Sequence, residues 1–95
     1  LFLGIHRNQI QDEEQWLAKQ VYLNMGFTLL AAAASGIDAV PMEGVDLQVL
    51  NEEFGLTEKG YKAVAVVSFG YRAADDFNAA LPKSRFENEA IFTKI

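Results

Sequence analysis

Three short stretches of this 95-residue sequence carry the side chains most able to do chemistry. The stretch "DAVPMEG" places one carboxylate, Glu43, between a proline and a glycine. The stretch "LPKSR" places two cations, Lys83 and Arg85, two positions apart. The only histidine is His6. None of these groups forms a complete catalytic set alone, so their role depends on which ligand the fold brings to them.

The local sequence of Glu43 allows two interpretations. The first is that Glu43 is simply exposed to solvent, as a carboxylate in a turn usually is, and this interpretation stays open. The neighbours Met42 and Gly44 also suit a flat ligand. Glycine allows the backbone to approach a ring closely, and amides in a turn that leads into a helix are free to donate hydrogen bonds.

Lys83 and Arg85 fit a phosphate. In an extended segment, residues two apart project to the same side, and Pro82 restricts the local backbone. Arginine offers a planar fork of donors and lysine a compact charge, a combination suited to phosphate oxygens. Taken alone, the pair fits a solvated surface better than a phosphate site.

Other kinds of catalytic site find little support. No nucleophile-elbow pattern accompanies His6, so a catalytic triad has no support. We expect His6 to be a partly exposed histidine at a helix end. The adjacent acidic pairs Glu13–Glu14 and Asp75–Asp76 are expected to be solvated, since neighbouring helix positions do not face each other. No glycine-rich phosphate loop is present. We therefore predict no metal site and no certain catalytic side chain.

Composition narrows the class of protein further. The net charge of −5, with both signs scattered, argues against a nucleic-acid surface or a polybasic membrane patch. The longest apolar stretch, "FTLLAAAASGI", is too short to span a bilayer. The absence of cysteine fits a reducing compartment such as the cytoplasm. The 51% hydrophobic content is high for a small domain, which predicts extra burial in a dimer interface or under further chain.

A long helix dominates the elements that must position these groups. It is predicted over residues 10–36, with Asp12 and Gln15 forming a capping box and Gly36 ending it. Residues 25–34 are apolar on every side, which predicts that this half is buried all round. Gly26 inside it predicts close approach of another helix or a ligand.

The remaining elements are short. We predict a short strand from Ile37 that Pro41 stops or holds at a sheet edge, followed by a helix capped by Asp46 and closed by Gly55. A second strand is predicted over Ala63–Phe69, covered on both faces. A helical turn is predicted around Asp75–Ala79, and a last strand over residues 90–95. No hairpin turn joins the last strand to the one before it, so we expect it to reach a partner subunit.

Three blocks carry a resemblance to a known family. They are "EEQWLAKQVYLNMGFTLLAAAASGIDAVPMEGVD", "LNEEFGLTEKGYKAVAVVSFGYR" and "DDFNAALPKSR". Together they closely resemble the C-terminal part of the oxygen-insensitive NAD(P)H nitroreductases and dihydropteridine reductases, within the FMN-dependent nitroreductase family. The resemblance covers essentially the whole chain. Family members are longer, and the sequence starts without Met, so residues 1–95 are expected to be the C-terminal part of a single nitroreductase domain.

The resemblance implies a fold and a site. The fold would be α+β, a three-layer α/β/α arrangement with a mixed sheet flanked by helices and a C-terminal strand exchanged within a homodimer. One FMN would bind at each of two interface sites. Pro41 and Met42 would line one face of the flavin, the amides of Glu43 and Gly44 would approach its redox-active edge, Lys83 and Arg85 would contact its phosphate, and Phe2 would stack on substrates.

The implied activity is reduction of nitroaromatics, quinones, pteridines or flavins by NADH or NADPH, in two-electron ping-pong steps. The expected partners are a second copy of the chain and small aromatic or quinoid acceptors. Two alternatives stay open: a non-catalytic flavin-binding or dimerisation module on the same scaffold, and a fragment that cannot hold FMN.

Overall fold

A computed structural model describes residues 1–95 as four helices, a two-stranded sheet and three short irregular helical turns. In chain order these are α1 (Phe2–Ile5), a π-helical turn (His6–Ile10), α2 (Glu13–Ala34), β1 (Asp38–Met42), α3 (Leu47–Glu53), a 3-10 turn (Thr57–Lys59), β2 (Val66–Gly70), a 3-10 turn (Phe77–Ala80) and α4 (Asn88–Ile91). No helix has the length and apolar character needed to cross a membrane.

The long helix ends as its sequence predicts but begins differently. Gly36 has a φ of 71°, and the amides of Gly36 and Ile37 donate to the carbonyls of Ala33 (3.1 Å) and Ala32 (2.9 Å). This left-handed ending satisfies carbonyls that the last turn leaves free. At the start, Asp12 makes no capping hydrogen bond, so the predicted capping box is wrong. Its Oδ1 instead lies 2.5 Å from His6 Nδ1, so the carboxylate is partnered with this ring rather than with the first amides of the helix.

The second helix is capped as predicted. Asp46 Oδ1 accepts hydrogen bonds from the amides of Gln48 (3.0 Å) and Val49 (3.1 Å). Gly55, with a φ of 57°, closes the other end, where the amide of Leu56 donates to the carbonyl of Asn51 at 2.8 Å. Both signals act within a few residues, which is why they could be identified without the fold.

The two strands form one antiparallel pair, with Asp38 opposite Gly70 and Met42 opposite Val66. Pro41 lies within β1, in a sheet whose two strands are both edges, as expected for a residue without an amide hydrogen. Helices with this small sheet agree with the predicted α+β class. The mixed sheet, the three layers and the strand exchange stay predictions.

The second strand is shorter and more exposed than predicted. It starts at Val66 rather than Ala63, because the amide of Ala63 donates to the Asn51 side chain at 2.8 Å instead of to a strand. The expectation that both its faces are covered is wrong for this chain, since Phe69 is exposed. Only β1 pairs with it, and Ser68, Phe69 and Gly70 are all exposed.

The chain buries very little of its apolar surface. Ala32 is the only buried residue. Phe27 and Leu30 of the apolar half of α2 are exposed, as is Leu23 just before it. The radius of gyration is 17.7 Å, against about 12 Å for a compact domain of this length. The prediction that this half-helix is buried all round is therefore wrong for the single chain. Gly26 likewise has no close neighbour, so the predicted close approach is not made within the chain.

The C-terminal segment corrects another expectation. Residues 88–91 form a helical turn, with the amide of Phe92 donating to the carbonyl of Asn88 at 2.8 Å. The predicted strand over residues 90–95 is thus wrong at its start. Phe92 is extended, with a φ of −118° and a ψ of 127°, and residues 92–95 pair with no strand of this chain. The predicted turn near Asp75–Ala79 is present at Phe77–Ala80, where Asp76 caps it by accepting from the amide of Asn78 at 2.9 Å.

Candidate functional site

The turn between β1 and α3 presents unused hydrogen-bond donors. Residues 43–46 lie between Met42, the last residue of β1, and Leu47, the first of α3. None of their four amides donates a hydrogen bond within the chain. The space beside Gly44 is open, with no heavy atom within 4 Å of where a Cβ would stand. Backbone donors are therefore accessible to a ligand here, as the sequence of "PMEG" predicts.

The side chain of Glu43 is held by a residue of the long helix. The hydroxyl of Tyr22 donates a hydrogen bond to Glu43 Oε1, across 21 positions of sequence. This bond raises the pKa of Tyr22 above its ordinary value, with desolvation and the negative charge of Glu43 as smaller causes. None of the four ion pairs includes Glu43. Its carboxylate is therefore anchored by a neutral donor and its charge is not neutralised.

The two predicted phosphate-binding cations lie in an irregular, exposed segment before α4. Arg85 Nη1 donates to the carbonyl of the adjacent Ser84 at 2.7 Å. Lys83 lines a groove that also contains Asp38 and Arg72. Neither cation belongs to an ion pair, so both charges are available to an anion.

The single chain does not bring these cations to the turn. Lys83 shares its groove with the Asp38 end of β1, whereas the turn follows Met42 at the other end. A strand of this length separates its end residues by roughly 13 Å. None of the four main grooves combines the turn with Lys83 or Arg85. Their joint role in one site stays a prediction.

The N-terminal residues form a cluster of their own. Phe2, the predicted substrate-stacking residue, is 69% exposed on α1. One turn further, the ring of His6 stacks on Trp16 with centroids 4.7 Å apart and an angle of 17° between planes. The ring also contacts the Asp12 carboxylate through Nδ1, which was not expected from the sequence. His6 is thus more enclosed and better partnered than a simple helix-end histidine.

Of the two acidic pairs predicted to be solvated, Glu13 and Glu14 make ion pairs, whereas Asp75 and Asp76 make none. Arg7 binds Glu13 through Nε and Nη2, and Lys62 binds Glu14. The bond to Arg7 lowers the pKa of Glu13, and the bond to Glu13 raises the pKa of Arg7. No three histidine, cysteine, aspartate or glutamate side chains come close enough to hold a metal ion.

Two functional-looking contacts were missed at the sequence level. The Tyr22–Glu43 bond and the Asp38–Arg72 ion pair join positions 21 and 34 residues apart. No local pattern marks either partner. A hint for Tyr22 is its phenolic hydroxyl between Val21 and Leu23, because such a hydroxyl favours a polar partner.

Comparisons with known proteins agree on one family. A sequence model described as "Nitroreductase family" matches residues 5–71. An oxygen-insensitive NAD(P)H nitroreductase of Salmonella typhimurium is 53% identical over 94 residues, which is 99% of this chain and 43% of that protein. The protein of the same name from Enterobacter cloacae is 52% identical over 93 residues.

A more distant relative carries a related name. The major NAD(P)H-flavin oxidoreductase of Aliivibrio fischeri is 34% identical over 93 residues, covering 97% of this chain. The chain spans about 43% of the length of these three relatives.

Proposed function

This chain belongs to the nitroreductase family, and on that premise we propose that it is part of an FMN-dependent oxidoreductase. The enzyme uses NADH or NADPH to reduce nitroaromatics, quinones, pteridines or flavins in two-electron ping-pong steps. The names of the relatives support the use of NAD(P)H, a nitro or flavin acceptor, and a flavin cofactor. Residues 1–95 are the C-terminal part of its single domain.

The observation that carries the proposal is the turn after β1. The amides of Glu43 and Gly44 have no partner in the chain, and the space beside Gly44 is open. A flavin ring offers acceptors to such donors, and glycine permits the close approach of backbone to ring. Pro41 and Met42, just before the turn, line one face of the ring. The donor set therefore fits the redox-active edge of FMN.

When bound, FMN supplies the hydride and electron transfer chemistry, and the protein supplies position and electrostatics. The turn amides orient the ring and stabilise negative charge at its edge. The carboxylate of Glu43, tied to Tyr22, sits beside them. No separate acid or base of this chain is needed for hydride transfer, which suits a sequence with one histidine and no cysteine.

The phosphate end of the cofactor is held by Lys83 and Arg85. Support comes from their exposure and from their lack of any ion pair. A phosphate would accept a fork of donors from Arg85 in place of the weaker bond to the Ser84 carbonyl. Phe2, exposed on α1, stacks on the substrate near the flavin.

A second copy of the chain completes the protein. Phe27 and Leu30 of the apolar half of α2 are exposed, and together with Leu23 they line a shallow groove along the helix. Exposed apolar surface of this extent marks an interaction site. Residues 92–95 then pair with an edge strand of the partner subunit's sheet. The three-layer α/β/α arrangement, with its mixed sheet flanked by helices, forms in that assembly.

Reduction of bound flavin tests the proposed function. The purified full-length protein is expected to show flavin absorbance that bleaches on addition of NADH or NADPH without oxygen, and recovers on addition of a nitroaromatic or quinone. If flavin binds but never bleaches, the protein is the non-catalytic flavin-binding module instead of an enzyme. A colourless protein that takes up no FMN would refute the cofactor assignment.

A further inference from the structure

The hydrogen bond between Tyr22 and Glu43 ties the turn after β1 to the long helix. Apart from the two bonds by which Asp46 caps the adjacent α3, it is the one side-chain hydrogen bond that the turn residues make. Tyr22 lies in the middle of α2, which packs against β1. The bond therefore fixes the direction of a flexible glutamate side chain relative to a rigid helix.

The carboxylate of Glu43 has competing partners nearby. Four successive amides, at residues 43–46, lack an acceptor within the chain. Clusters of unpaired backbone amides attract anions, and carboxylates readily accept from backbone N–H groups close in sequence. With no cation paired to it, a released Glu43 carboxylate would bind these amides itself.

We propose that Tyr22 is a positioning residue that holds the Glu43 carboxylate on the helix side and so keeps the turn amides open for the cofactor. The inference rests on the proposed function, because the occupant of those amides is taken to be the flavin ring. Tyr22 acts through Glu43 rather than by touching the reacting atoms.

The test is a double-mutant cycle between Tyr22→Phe and Glu43→Ala in the FMN-loaded protein. Tyr22→Phe removes only the hydroxyl of an exposed side chain, so it leaves no buried cavity. We expect the FMN dissociation constant to rise roughly threefold to tenfold, since the released carboxylate competes for donors. We also expect the flavin midpoint potential to fall, since the negative charge moves toward the ring and opposes its reduction.

The Glu43→Ala background isolates the proposed route. That variant alone is expected to raise the midpoint potential, because it removes a negative charge from the flavin edge. Adding Tyr22→Phe to it should change neither affinity nor potential, since no carboxylate is left to release. A matched control is Tyr61→Phe, because the side chain of Tyr61 is 69% exposed and makes no hydrogen bond, and it should match the wild type.

A second readout uses the protein without FMN. The amide hydrogens of Glu43 and Gly44 should exchange more slowly in Tyr22→Phe than in the wild type, because the released carboxylate protects them. Unchanged exchange together with an unchanged potential would overturn the positioning role. So would a Tyr22→Phe shift of the same size in the Glu43→Ala background.

The two levels of failure are distinguishable. If Glu43→Ala shifts the potential but Tyr22→Phe does not, the proposed site stands and the role of Tyr22 is wrong. If Glu43→Ala leaves the potential of bound FMN unchanged, the turn does not lie at the flavin edge. The site assignment and the role of Tyr22 are then both wrong, while the FMN-dependent function is tested separately by bleaching of the flavin.

Discussion

Arg72 holds Asp38 through both its main chain and its side chain. The amide of Arg72 donates to Asp38 Oδ2 at 2.8 Å, and its Nε lies 3.0 Å from the same oxygen. This clamp closes the end of the sheet where Asp38 faces Gly70. The hydrogen bonds from the Arg72 side chain and amide lower the pKa of Asp38 from 3.8 to about 2.

The clamp predicts a pH dependence of stability. Because the pKa of Asp38 is lower in the folded protein, its contribution is fully present above the unfolded value near 3.8 and is lost as the pH falls toward 2. Asp38→Asn should lower the urea midpoint at neutral pH, and this difference from the wild type should shrink between about pH 4 and about pH 2. Asp75→Asn is the control, because Asp75 belongs to none of the four ion pairs. A difference that does not change with pH would contradict the assignment.

The cap of α3 predicts a loss of stability on truncation. Asp46→Ala removes the acceptor for the amides of Gln48 and Val49, and should lower the free energy of unfolding by about 1 kcal/mol. Asp46→Asn keeps a side-chain oxygen and is expected to cost much less. Urea denaturation of the two variants checks this, and equal losses would show that the negative charge, not the cap, matters.

The phosphate assignment predicts a cofactor-specific effect. Charge-assisted hydrogen bonds contribute about 1.5–3 kcal/mol each, so Arg85→Ala should weaken FMN binding roughly tenfold or more. Riboflavin, which lacks the phosphate, should bind the variant and the wild type almost equally. Fluorescence titration with both ligands gives the comparison. If the binding of FMN and of riboflavin is weakened equally, Arg85 does not contact the phosphate.

The exposed half of α2 predicts a dimer. Phe27 is 73% exposed in the single chain, so Phe27→Lys should scarcely affect its own packing but should charge the proposed interface. We expect the wild type to sediment as a dimer at micromolar concentration and Phe27→Lys to dissociate at least roughly tenfold more readily. Phe77→Lys, at a residue 74% exposed outside α2, is the matched control. A wild-type monomer would refute the interface.

The tail predicts exchange between subunits. Deleting residues 92–95 removes a segment that pairs with no strand of its own chain, and should weaken dimerisation measured by sedimentation. Phe86→Ala removes a similarly exposed aromatic outside the tail and should leave the dimer unchanged. Equal dimer affinity with and without the tail would count against exchange.

Local signals in the sequence determined where α2 ends and where α3 begins and ends. Gly36 and Gly55 end helices because each takes up a left-handed conformation, and Asp46 caps α3 because its acceptor lies within three residues of the donors. Such interactions depend on backbone geometry over one turn, so the residue types are sufficient to predict them. The "PMEG" turn, with its open amides, was predictable for the same reason.

The tertiary structure alone decided which distant groups meet. Tyr22 with Glu43, and Asp38 with Arg72, are joined only because β1 folds back against α2 and pairs with β2. Asp12 was predicted to cap α2, but the nearby His6 took its carboxylate. The apolar pattern of residues 25–34 indicated a surface to be covered, yet burial depends on what packs there. In this chain β1 packs against α2 and Ala32 alone is buried, because one two-stranded sheet is too small to cover a helix of 22 residues.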